Sequence, residues 1–261
     1  MGYMYDAYHL RSSNRGRAEK DQTRSDNFRS LEVHSEFLFS EETGRDFSML
    51  KMQVEQANAE HGTKVIAVSS AVAGEGKSTI SYILSCMLAQ SSVNGSTNGT
   101  MDNTGNHGVL LIDGNLHRPQ LHRMFRISLK PGLMEFASNE SEKRIYSRFI
   151  SNHSLNLITA GSIQKRKPDI WNMNKVKKLF TKVREHFKYI LIDTPPVINH
   201  PETIALCKLV DGVMLVIKAN NTRLEVVKEA KEQLENAEVG VLGAVLNERR
   251  YYIPKLIYKS I

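Results

Sequence analysis

Six runs of apolar residues constrain this chain more than any other feature. They are Val65-Ile66-Ala67-Val68, Val109-Leu110-Leu111-Ile112, Leu155-Asn156-Leu157-Ile158, Tyr189-Ile190-Leu191-Ile192, Gly212 to Ile217 and Val241 to Leu246. A strand with one wet face alternates apolar and polar residues, whereas a run without alternation must be covered on both faces. Helical patterns separate the runs, at about 77–90, 170–187, 201–210 and 223–237. Buried strands joined by crossover helices predict an α/β fold, with a mainly parallel central sheet between two helical layers.

This pattern predicts one domain over 41–250. Residues 1–40 read as a mostly disordered polar segment, with mixed charge and no sustained periodicity. Residues 91–108, almost wholly Ser, Asn, Gly and Thr, read as a flexible surface insertion, and 251–261 as a tyrosine-containing tail. No apolar run approaches the roughly eighteen residues of a spanning helix, and the first residues lack a leader's apolar core. Cys86 and Cys207 lie in apolar helical stretches without metal spacing and read as two buried free thiols, which fits a reducing cytoplasm.

The run Val65–Val68 leads into Ser69-Ser70-Ala71-Val72-Ala73-Gly74-Glu75-Gly76-Lys77-Ser78-Thr79 and then a helix. This is a P-loop with Ala71 in place of its first glycine, and it makes the expected architecture a three-layer P-loop NTPase fold. Glycines let backbone N–H groups wrap phosphates, and the following helix points its positive end at them. The nucleotide contacts expected from the loop are Ala73, Gly74, Glu75, Gly76, Lys77, Ser78 and Thr79. Lys77 reaches the β- and γ-phosphates, the Ser78 hydroxyl sits on Mg²⁺ and Thr79 meets the α-phosphate. Acidic residues for the metal are offered by Asp113, after Val109–Ile112, and by Asp193, after Tyr189–Ile192 in the Walker B form and followed by Thr194-Pro195-Pro196. Both carboxylates would emerge at the C-terminal edge of a parallel sheet, where the phosphates lie.

Together, Ser70 to Thr79, Val109-Leu110-Leu111-Ile112-Asp113-Gly114-Asn115-Leu116-His117-Arg118-Pro119 and Ile190 to Pro196 resemble the Walker A, A′ and B motifs of the bacterial tyrosine kinases. These are the CpsD/CapB-type ATPases of capsule and exopolysaccharide export, and the resemblance covers about 42–250. It implies an MgATP-dependent protein-tyrosine autokinase that regulates polysaccharide assembly and export. Lys77, Asp113 and Asp193 would be catalytic, and Asn247 would contact adenine. Phosphoryl transfer would go to tail tyrosines, here Tyr251, Tyr252 and Tyr258, largely between subunits of a homo-oligomeric ring. The cytoplasmic tail of a transmembrane chain-length regulator would activate the protein, which would sit peripherally at the inner face of the plasma membrane. The rival group, the partition and division-site ATPases, carries a second lysine five residues before the P-loop lysine. Here that position is Val72.

The chain departs from the family pattern at several places. The Asp-x-Asp-x-Arg of the A′ motif becomes Asp113-Gly114-Asn115-Leu116-His117, so the metal set reads Ser78, Asp113, Asn115 and Asp193, with Asn115 bringing a carbonyl oxygen but no charge. His117 is a poor stand-in for a permanently charged arginine. The subunit-contact motif Glu-x-x-Arg-x-x-Arg becomes Glu42 to Ser48, without its last arginine. Tyr3, Tyr5 and Tyr8 add a second cluster of phosphoacceptor candidates at the other terminus. Two further readings stay open: an ATPase switch without kinase activity, and a nucleotide-binding scaffold. Nine Lys/Arg against two acids between Lys165 and Lys188 give that segment all of the net charge of +7. It is either a solvated helix face or a contact for anionic lipid or an acidic partner. Nucleic acid is the weakest of its partners, because the charges are not interleaved with aromatic stacking residues in the manner of a single-strand binder.

Overall fold

The computed structural model describes residues 4–7, 41–94, 108–138, 148–150, 155–161 and 173–248. Eight strands form one sheet: β1 (Met4–Ala7), β2 (Val65–Ser70), β3 (Val109–Asp113), β4 (Arg148–Ile150), β5 (Leu155–Ile158), β6 (Tyr189–Asp193), β7 (Gly212–Lys218) and β8 (Val241–Asn247). Their order across the sheet is β1-β8-β7-β2-β6-β3-β5-β4. All neighbouring pairs are parallel except β4 with β5. The helices are α1 (Glu41–His61), α2 (Lys77–Asn94), α3 (Leu121–Met124), α4 (Leu133–Ser138), α5 (Met173–His186), α6 (Pro201–Cys207) and α7 (Leu224–Asn236).

The unalternating runs are explained by what covers each face. Along β2, Ile66 and Val68 join one core cluster while Val65 and Ala67 point to the opposite side. The same division separates Val109 and Leu111 from Leu110 and Ile112, and Tyr189 and Leu191 from Ile190 and Ile192. On the first face lie Phe47, Leu50 and Val54 of α1 with Ile80, Ile83, Leu84 and Leu88 of α2. On the second lie Val176, Leu179, Phe180 and Val183 of α5, and Ala230 and Leu234 of α7. The three-layer parallel architecture is therefore the expected one.

Four elements escape the periodicity argument. β4 is three residues long and antiparallel at one edge, and α3 and α4 have four and six residues. Each is too short to display a period. β1 lies inside the segment read as mostly disordered and pairs with β8 from Met4↔Ala244 to Ala7↔Asn247. An edge strand of this kind is specified by the open backbone groups of its neighbour rather than by its own pattern. The insertion core and the tail tyrosines Tyr251, Tyr252 and Tyr258 lie outside the described residues, as do Tyr3, Tyr8 and residues 165–172.

Topology sets the functional edge. β2, β3 and β6 are parallel neighbours, so Ser70, Asp113 and Asp193 end at one margin of the sheet, and Asp113 and Asp193 are register partners.

Candidate active site

The P-loop leaves β2 through two fully buried serines. The Ser69 hydroxyl donates to the Pro195 carbonyl at 2.9 Å, and the Val197 amide donates to the Ser70 carbonyl at 2.8 Å. The loop after β6 is thereby stitched to the start of the phosphate loop. Gly74 and Gly76 take φ of +86° and +89°, a left-handed backbone that side chains rarely adopt. A Cβ at Gly76 would lie 2.1 Å from Nδ2 of Asn247, while at Gly74 it would meet nothing within 4 Å. Gly74 and its exposed neighbour Ala73 therefore form the open side of the cradle.

Glu75 faces the other way. Its side chain is fully buried: Oε2 accepts the Val72 amide at 3.0 Å, and Oε1 accepts the Lys218 amide at 3.1 Å and the Thr222 hydroxyl at 2.6 Å. Asn247 Nδ2 donates to the Glu75 carbonyl at 2.9 Å. One carboxylate thus ties the P-loop to the end of β7 and the turn beyond it. Asn247, expected to meet adenine, has its amide nitrogen against the loop backbone. The inward role of Glu75 and its partner Thr222 were not legible in the sequence, because no motif marks the turn after β7.

The acidic pair sits beside this loop. Ser78 Oγ donates to Asp193 Oδ2 at 2.5 Å, while Asp193 Oδ1 is buried without a hydrogen-bond partner. Burial pushes the Asp193 carboxyl up to about 6, against the opposing pull of Ser78 and of the Lys77 ammonium. Burial and the neighbouring charge of Asp193 push Asp113 up to about 7, although the amides of Leu121, Asn115 and Gln120 oppose the shift. Lys77 is itself buried, which lowers its affinity for a proton, while Asp193 and Glu75 hold that proton on.

Asp113 organises the loop after β3. Oδ1 accepts the Asn115 amide at 3.2 Å, and Oδ2 accepts the amides of Gln120 at 3.2 Å and Leu121 at 3.1 Å. Of the expected metal set, Ser78 and Asp193 are in contact and Asp113 stands on the paired strand. The Asn115 side-chain oxygen instead accepts the Arg118 amide at 3.1 Å. Two desolvated carboxylates on paired strands, one with an orphaned oxygen, are the environment a divalent cation relieves. The donors are hard oxygens of the kind Mg²⁺ prefers. With the open cradle at Gly74, the residues present fit a magnesium-nucleotide.

The chain is similar to bacterial proteins of known kind. It is 28% identical to CapB of Staphylococcus aureus, over 77% of this chain and 82% of the relative. It is 26% identical to tyrosine-protein kinase YwqD of Bacillus subtilis, over 78% and 80%. Tyrosine-protein kinase etk of Escherichia coli is 23% identical over 76% of this chain, which spans only 25% of that longer protein. The solved kinase domain of the latter shares the fold, with a TM-score of 0.71 at 20% identity over 92% of this chain and 89% of the domain. The family model ParA, described as "NUBPL iron-transfer P-loop NTPase", matches residues 61–259. The chain belongs to this ParA family of P-loop NTPases, and the relatives it resembles within that fold are the bacterial tyrosine kinases.

Proposed function

We propose that the protein is an MgATP-dependent protein-tyrosine autokinase acting in capsule or exopolysaccharide assembly and export. The observation that carries this reading is the buried pair Asp113 and Asp193, register partners beside a P-loop whose Ser78 already touches Asp193. Bound MgATP supplies the γ-phosphoryl group and, through its ion, neutralises charge that develops on the phosphates. Lys77 and the amides of 73–79 would hold the phosphate oxygens, and Ser78 and Asp193 would hold the ion. Asp113 would take the proton of the tyrosine hydroxyl as its oxygen bonds to the γ-phosphorus and the bridge to ADP breaks. Phosphoryl transfer is mostly positioning and charge stabilisation, and this set supplies both.

The acceptors are Tyr251, Tyr252 and Tyr258, presented between subunits of a homo-oligomer. The activator is the cytoplasmic tail of a transmembrane chain-length regulator, and the protein works peripherally at the inner membrane face. Relatives such as etk support such a partner, because the part they share with this chain is only a quarter of their length. Among the described residues no helix is long and apolar enough to cross a membrane. Exposed Lys177, Lys178, Lys182 and Lys188 would face anionic lipid.

A second reading, an ATPase switch in which water replaces tyrosine, is favoured by Asn115. That residue brings no charge, and its oxygen is engaged by Arg118. Incubation with γ-labelled ATP and Mg²⁺ decides between them, with Lys77→Met as control. Label on tyrosine in the wild type and none in the variant is the expected result. Free phosphate without protein label would overturn the kinase in favour of the switch.

A further inference from the structure

Three side chains that the nucleotide site does not use converge at the same sheet margin. His117 lies in the loop after β3, and His200 and Glu202 lie where the loop after β6 enters α6. His117 Nε2 is 2.5 Å and His200 Nδ1 is 2.9 Å from the same oxygen, Glu202 Oε1. The two imidazole rings stand 5.0 Å apart. Among the described residues, this is the group of His, Cys, Asp and Glu side chains placed so that three ligand atoms all fall within 4.8 Å of one another.

We propose that His117, His200 and Glu202 form a site for a divalent transition-metal ion of the zinc class, bridging the loops that follow β3 and β6. Tetrahedral zinc with bonds of about 2.0–2.1 Å keeps its ligand atoms about 3.3 Å apart. The pairs at 2.5 and 2.9 Å need only a small opening, and no pair is more than about 1.5 Å too wide. Each imidazole now directs an N–H at the same Glu202 oxygen, which accepts both. Moving the proton to the outer nitrogen of each ring turns both lone pairs inward beside an anionic oxygen.

Two imidazoles and one carboxylate are a borderline-soft donor set suited to Zn²⁺, Ni²⁺ or Cu²⁺ and unlike the all-oxygen set of Mg²⁺. The side chains are 45% (His117), 28% (His200) and 21% (Glu202) exposed, so an ion can enter from solvent and keep a water as its fourth ligand. The site is separate in residues and in chemistry from the pair Asp113 and Asp193. It nevertheless joins the loops that begin at those two aspartates, which are already linked by the Gly114 amide donating to the Asp193 carbonyl at 2.8 Å. A bound ion would fix the spacing of these loops, and thus of the catalytic margin, without touching nucleotide. The assignment does not depend on whether the protein is a kinase or a switch.

Calorimetric titration of ZnCl₂ into the full chain, kept in excess MgCl₂ so that the oxygen donors of the P-loop margin are saturated, tests the assignment. One equivalent of zinc should bind. His200→Ala, Glu202→Gln and His117→Ala should each weaken that equivalent at least about 10- to 100-fold. Thermal melts in EDTA establish that each variant is folded. Zinc at about 100 times the wild-type Kd should raise the wild-type Tm by about 5 °C or more, and each variant's by about half of that or less. Cobalt(II) in place of zinc should give the intense visible bands of a four-coordinate imidazole site. No zinc equivalent in the wild type, or one that persists undiminished in the folded variants, would overturn the proposal.

Discussion

Glu75 occupies a P-loop position that sequence alone assigns to phosphate contact, yet its carboxylate is turned into the protein. Three donors converge on it, from Val72, Lys218 and Thr222. A buried acceptor surrounded by donors is sensitive to replacement by an amide, which puts an NH₂ group against one of them. Glu75→Gln should therefore lower stability by about 1–3 kcal/mol in chemical denaturation. It should also weaken ATP binding through the loosened loop, with the Lys77 side chain intact. The cysteines give a simpler prediction. Both are buried and unpaired, and burial pushes each thiol up to about 12. A disulfide-exchange reagent should label neither at neutral pH in the folded protein and both after unfolding, because the thiolate is the reacting species.

At the level of elements, the sequence announces what is long and periodic. All six apolar runs are strands, and the two-sided burial that removes alternation also made their parallel pairing readable. β1 and β4 were not readable, because an edge strand of three or four residues takes its conformation from its neighbour. Leu84 of α2 is fully buried against the sheet, so Leu84→Ala should cost about 2–5 kcal/mol by denaturant titration. Asp211 illustrates a different brace. It accepts the amides of Lys64 and Val65 at 2.8 and 2.7 Å and pairs with Arg184 of α5 at 2.6 Å. Burial works to raise its carboxyl, but Arg184 and the two amides prevail and hold it below the usual carboxylate range. A lowered native value contributes stability that is complete above the unfolded pKa of about 4 and is lost as pH falls through the native one. Asp211→Asn should be destabilised relative to wild type at pH 7. The gap should close in melts below about pH 4.

Across the whole molecule, strand order turns separated motifs into one margin. Asp113 and Asp193 are 80 residues apart in sequence but paired in register on β3 and β6, and Lys77 and Ser78 follow β2 beside them. The motifs were legible because their residue types are demanded by phosphate chemistry at a strand end. The inward turn of Glu75, the capture of the Asn115 oxygen by Arg118 and the meeting of His117 with Glu202 were not. Each depends on how two loops lie against one another, and no local period encodes that. We propose that the Asp113–Asp193 pair divides its labour, Asp193 for the ion and Asp113 for the tyrosine proton. Single-turnover transfer of γ-labelled phosphate to tyrosine by Asp113→Asn, with MgATP affinity measured alongside, tests it most directly. Affinity within a few-fold of wild type, with transfer slowed about 10²- to 10⁴-fold, is the predicted result. Transfer at the wild-type rate would contradict the account.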